Sequence, residues 1–209
     1  LGDFADNLAG CDTLLSLGFY YIGRDIDNIY QKFNLPPPAI GYCILAGPIV
    51  PALGDSAVFE LRRRKNSRNL GMSSFFEMGP GDPYSDPCSG PIPGYLCNTA
   101  QWWKLLRGYA PFGTFTSPDI YYSNGPYPPS KFPLSGDPVT GQGWLDGLGL
   151  LYSYPAGDRR IIPSTGPFAM APGDTQEVVL AVIGGLGADR LSSIAVMKNY
   201  ARQARATYD

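Results

Sequence analysis

Gln176-Glu177-Val178-Val179-Leu180-Ala181-Val182-Ile183 decides the class of this chain. Val178, Val179, Val182 and Ile183 are β-branched, and such side chains pack well on a pleated surface. The turn formers Ala171-Pro172-Gly173-Asp174 precede the run, and Gly184-Gly185 is expected to break it. Asp189 or Ser192 then caps a C-terminal helix over residues 191–208. Leu191, Ile194, Lys198, Ala201 and Ala204 fall on one side of that helix.

Working outward, the pattern is strand, turn, strand. Gly166–Met170 reads as a short strand, and residues 109–160 read as turns. Thr99–Arg107 is a short helix, with Trp102, Trp103, Leu105 and Leu106 as its apolar side and Gly108 at its end. Residues 79–93 are dense in Pro, Gly and Asp and read as a long loop. Gly71–Met78, Ala57–Leu61, Ile40–Val50 and Thr13–Ile22 read as strands, the third of them broken at Gly47-Pro48. The acidic opening, residues 1–12, reads as loop. Helices and strands do not alternate, which argues against a parallel α/β fold. The expectation is a mainly β chain, an antiparallel β-sandwich with long Gly/Pro-rich loops, a short helix near 99–107 and a C-terminal helix near 191–208. Residues 1–209 are read as one β-rich domain. Because the chain opens at Leu1 without Met, it reads as a processed product or fragment of a longer protein.

Composition agrees. Gly and Pro number 26 and 21 without a fixed period, as expected of many turns between short strands. Fifteen Asp against three Glu point the same way, since Asp favours turns and Glu favours helices. Charged residues make up 16%, against about 25% in average soluble domains. With 44% hydrophobic residues, this implies a packed core. A net charge of −2 gives no nucleic-acid footprint. The basic run Arg62, Arg63, Arg64, Lys65 and Arg68 reads as a solvated loop or a charge-protected strand edge. No apolar stretch is long enough for a membrane-spanning helix.

Four cysteines allow three pairings. Cys88 and Cys97 bracket a turn-rich loop, so a bridge between them is expected, which leaves Cys11 with Cys43. Closing a loop of roughly ten residues removes about 2–3 kcal/mol of unfolded-chain entropy. Disulfides imply an oxidising, extracellular compartment.

Signals for chemistry are sparse. Without a single His, the Ser-His-Asp and Cys-His arrangements are absent. Gly184-Gly185-Leu186-Gly187 lacks the Lys and the spacing of a phosphate loop, and reads as punctuation before the helix. Glu60, Glu77 and Glu177 are the only Glu, and no carboxylate pair of glycosidase type is marked. Calcium is the ion that best suits the clusters Asp3, Asp6, Asn7, Asp12 and Asp25, Asp27, Asn28, although the EF-hand pattern is not completed. Trp102, Trp103, Trp144 and the pair Tyr121-Tyr122 are candidates for stacking on a glycan.

Several stretches together resemble a domain of large secreted proteins of Bacteroidota and Ignavibacteria-like bacteria, which commonly end in a type IX secretion sorting domain. They are Asn7–Gly18, Pro37–Tyr42, Ser135–Gly141, Gly157–Arg160, Ser164–Phe168, Met170–Val179 and Leu191-Ser192-Ser193. The resemblance spans almost the whole chain in the same order. It implies a secreted setting. With no catalytic motif in view, the first expectation is a non-catalytic extracellular or cell-surface structural module, a subunit of a surface assembly or filament, whose partners are other parts of its parent protein or other copies of itself. That family carries an acidic loop where this chain has Ile22–Asp27, which weakens a calcium site there. It carries Asp-Phe where this chain has Cys43-Ile44, which favours a lineage-specific Cys11–Cys43 bridge. The ending also resembles supersandwich domains of carbohydrate enzymes, where the sandwich is accessory. A glycan-binding accessory domain is therefore the second expectation, and a carboxylate-pair hydrolase the third.

Overall fold

A computed structural model describes residues 6–78, 99–109, 128–147 and 156–208. In chain order its strands are β1 (Asn7–Asp12), β2 (Leu17–Ile22), β3 (Ala39–Ala46), β4 (Ile49–Phe59), β5 (Arg62–Asn69), β6 (Met72–Met78), β7 (Arg160–Thr165) and β8 (Val179–Gly185). The helices are α1 (Thr99–Leu106) and α2 (Arg190–Tyr208). The chain is mainly β, with antiparallel sheets, one short helix and a C-terminal helix.

The main sheet has the order β1-β2-β3-β8, with every pair antiparallel. Strand alternation gives it two apolar faces. Leu17, Phe19, Tyr21, Cys43 and Ile183 share one face and pack against Ile194, Met197 and Ala201 of α2. Ala9, Cys11 and Ile44 lie on the other face, against Met72 and Phe75 of β6 and the loop residues Leu134 and Trp144. β6 pairs with β7, and the Tyr20 hydroxyl reaches across to accept the Ile161 N–H at 2.9 Å. α1 closes the far end, where Leu105 packs with Phe76 and Met78.

Helix α2 begins where the sequence places it. Asp189 Oδ1 accepts the N–H groups of Leu191 (3.0 Å) and Ser192 (2.7 Å), and Ser192 Oγ accepts the Asp189 N–H at 2.8 Å. This reciprocal cap satisfies donors that the first turn leaves unpaired. Those bonds, the Ser192 amide first, hold the Asp189 carboxyl below its ordinary value. Gly184 and Gly185 do not break β8. They pair with Ile40 and Ala39, and Gly185 lets α2 approach: a Cβ there would stand 2.5 Å from the Met197 nitrogen.

Other boundaries differ from expectation. The opening is not all loop, because Asn7–Asp12 pairs with β2 across a turn at residues 13–16. Its Asn, Gly and Asp residues hide a strand held by its partners. Gly166–Met170 is not a strand. The strand lies just before it, at Arg160–Thr165, and Gly166 leaves extended geometry with φ of 120°. The basic run is β5, which with β4 forms a separate two-stranded ribbon. Successive residues of β5 point to opposite faces, so Arg62 and Arg64 stand opposite in direction to Arg63 and Lys65.

The β4–β5 turn consists of Glu60 and Leu61, with φ of 51° and 58°. A two-residue hairpin with both φ positive favours Asn-Gly, and L-residues with larger side chains are strained there. Leu61 is exposed and contributes no packing. Replacing the pair with Asn-Gly (E60N/L61G) is expected to raise unfolding stability by about 1 kcal/mol, measured by urea denaturation. A loss of stability would contradict this account of the turn.

Candidate functional site

The acidic clusters are dispersed into local roles. Asp6 is buried and meets Arg24 at 3.3 Å. Asp12 accepts the Leu15 N–H at 3.2 Å and meets Lys198 at 3.3 Å. Asp25 meets Arg190 at 2.8 Å on the surface. Asp27 Oδ1 accepts the N–H groups of Ile29 (2.8 Å) and Tyr30 (2.9 Å), which starts a short 3-10 turn at Tyr30–Phe33. Among the described residues no three His, Cys, Asp or Glu side chains are grouped to hold a metal ion. Asp3 lies outside the described residues.

The expected Cys11–Cys43 bridge is corrected. Both are buried free thiols. Cys11 stands opposite Gly18 and Cys43 opposite Leu17. Neighbours on β2 point to opposite faces, so the two sulfurs lie on opposite sides of the sheet. Cys11 donates to the Pro133 carbonyl at 3.4 Å, and Cys43 to the Leu15 carbonyl at 3.2 Å. Burial pushes both thiols above their ordinary range, Cys11 strongly, so neither is a ready nucleophile. Cys88 and Cys97 lie outside the described residues.

The candidate aromatics separate as well. Trp144 is 5% exposed, in the core between the main sheet and β6. Trp102 and Trp103 lie on α1, 36% and 46% exposed. Trp102 packs at 6.1 Å on Phe76, and the Arg107 guanidinium lies 5.6 Å from the Trp103 ring. Tyr121 and Tyr122 lie outside the described residues.

Two of the open cavities that border α2 are lined in part by the 135–147 segment. One, of about 400 Å³, is lined by Asp12, Asp137, Lys198 and Arg202. Lys198 lies in it with its ammonium 3.3 Å from Asp12, 3.2 Å from Asp137 and 5.4 Å from the Phe19 ring. The other, of about 570 Å³, is lined by Tyr21, Thr140, Asp146, Ala156 and Arg190.

Comparison with protein-family models, with curated proteins and with solved structures finds no match for this chain.

A buried charge cluster among the described residues was not signalled by any spacing. Arg159 grips Asp146 with two nitrogens, at 3.0 and 3.3 Å, and its Nε lies 3.3 Å from Glu77 Oε1. All three side chains are nearly inaccessible to solvent. Asp146 Oδ2 also accepts the Ala9 N–H at 2.9 Å. The group therefore ties β1, β6, the start of β7 and the turn after Trp144 together. A sequence signal existed only in part, because Glu77 is the one charge in its strand and Arg159 adjoins Arg160. Glu77 and Asp146 form a carboxylate pair, but one clamped through a buried guanidinium.

Removing one member of a buried ion group leaves the others uncompensated, at a cost of about 3–5 kcal/mol. Arg159→Met is expected to lower the unfolding free energy by that amount in urea denaturation. A change below about 1 kcal/mol, the range of exposed pairs, would contradict the clamp.

Proposed function

We propose that this chain is a non-catalytic structural or interaction module of a secreted protein, working at the cell surface as part of an assembly. The observation that carries this reading is an exposed apolar strip along β8 of the main sheet, which no described residue covers. On the face that β6 and β7 cover over β1 and β2, the β3–β8 half presents Tyr42, Leu180 and Val182, and the last two are more than half exposed. Neighbouring apolar side chains on a rigid sheet suit a protein contact. The extracellular setting, the link to type IX secretion and a Cys88–Cys97 bridge rest on the sequence resemblance and the loop between those cysteines. The finer fold reading, a supersandwich-like β-sandwich, is supported by β6 and β7 lying across the main sheet.

A glycan-binding accessory domain is the second reading, favoured by the adjacent, partly exposed indoles of Trp102 and Trp103 on α1. It requires binding of a polysaccharide that is lost on Trp103→Ala. The hydrolase reading keeps only the Glu77–Asp146 pair, whose burial around Arg159 suits a clamp better than a reaction centre.

The test is mass photometry of the purified protein across concentration, with and without a calcium chelator. Ordered association is expected, and its loss on chelation would assign calcium to the contacts. Single chains under both conditions would remove the assembly reading and leave the glycan-binding one.

A further inference from the structure

The two edges of the main sheet are treated differently. At β1, the Cys11 N–H donates to the Leu134 carbonyl (3.0 Å), the Ala9 N–H to Asp146 (2.9 Å), and the Asn7 carbonyl accepts the Gly157 N–H (3.0 Å). That edge is sealed. At β8, the strand pairs with β3 on one side, and no described residue bonds to its other side. The outer edge of β4 is also covered, because Gln176 bonds both backbone groups of Ile49 and Glu177 accepts the Glu60 N–H.

An open edge is ordinarily protected by a charge, a proline or a short length. β5 follows that rule with its five cations. β8 does not: its seven residues Val179-Leu180-Ala181-Val182-Ile183-Gly184-Gly185 carry neither charge nor proline. A row of unsatisfied N–H and C=O groups beside exposed Leu180 and Val182 is the chemistry that receives another β-strand.

We propose that β8 pairs antiparallel with β8 of a second copy of this chain, joining two four-stranded sheets into one. This rests on the assembly reading above and names its contact. Residues 178–188 carry no charge, so the strand can pair with itself without repulsion. Antiparallel pairing sets the Glu177 end of each copy beside the neutral Gly184-Gly185-Leu186-Gly187 end of the other, so no like charges meet. Leu180 and Val182 of both copies then share one face across the seam. The contact is isologous, and the sealed β1 edges prevent further growth of the sheet, so the seam makes a closed dimer. A longer assembly would use dimers as its units.

The experiment is sedimentation equilibrium of the wild-type protein, Val182→Lys and Leu53→Lys. Leu53 is the control, an exposed leucine on β4 and not on β8. The expected result is a wild-type dimer, an unchanged Leu53→Lys dimer, and a dissociation constant for Val182→Lys raised roughly a hundredfold, since each substitution enters the seam twice. Leu180→Lys replaces Val182→Lys if the latter loses the native circular dichroism spectrum. Equal association of wild type and seam variants would overturn the β8 contact while leaving the assembly reading standing. A wild-type protein that stays monomeric throughout would overturn both.

Discussion

The structure depends on burying the main sheet on two faces at once. β2 is enclosed from both sides: Leu17, Phe19 and Ile22 are wholly inaccessible, and they divide between its two faces. Helix α2 supplies one cover, and β6, β7 and the 132–144 loop supply the other. Burying side chains of this size contributes about 1.5–3 kcal/mol each, so neither cover is dispensable. This constraint places Cys11 and Cys43 in separate cores, which is why two cysteines close in the strand pattern cannot bond. It also explains Gly185, where the helix backbone comes too close for any side chain.

Covering the sheet from below with a loop creates a problem that the Arg159 group addresses. A loop carries backbone and side-chain polar groups into the interior, where each must find a partner. Asp146 brings a carboxylate to the β1 edge, accepts Ala9, and is balanced by Arg159, which also meets Glu77. The sealing of β1 and the buried ion group are one arrangement. At the opposite edge no described residue builds an equivalent, and β8 keeps its hydrogen-bonding groups and the side chains of Leu180 and Val182 available. Stability is concentrated at one end of the sheet and contact chemistry at the other.

The legible parts of the sequence were those in which local pattern and tertiary role agree. The strand before α2, the Asp189 cap and the helical spacing of α2 say the same thing at each level, and they hold, although the strand runs Val179–Gly185 and leaves out residues 176–178. β1 was hidden because Asn7, Gly10 and Asp12 are loop formers by composition, and only pairing with β2 makes them a strand. The calcium reading came from local clusters, and the fold sends Asp6, Asp12, Asp25 and Asp27 to different partners. Trp144 was a candidate for stacking on a glycan, yet its ring fills the second core. The Arg159 group joins residues far apart in the chain, and no local period can announce that.

The central claim is an asymmetric sheet, sealed at β1 and open at β8. Amide hydrogen exchange read at dilute and at high protein concentration tests it most directly. The account predicts that amides of β1 are protected at both concentrations, while alternate amides of residues 179–185 exchange freely in dilute protein and become protected as concentration rises. Protection of β8 that is equal to that of β1 in the dilute monomer would contradict it.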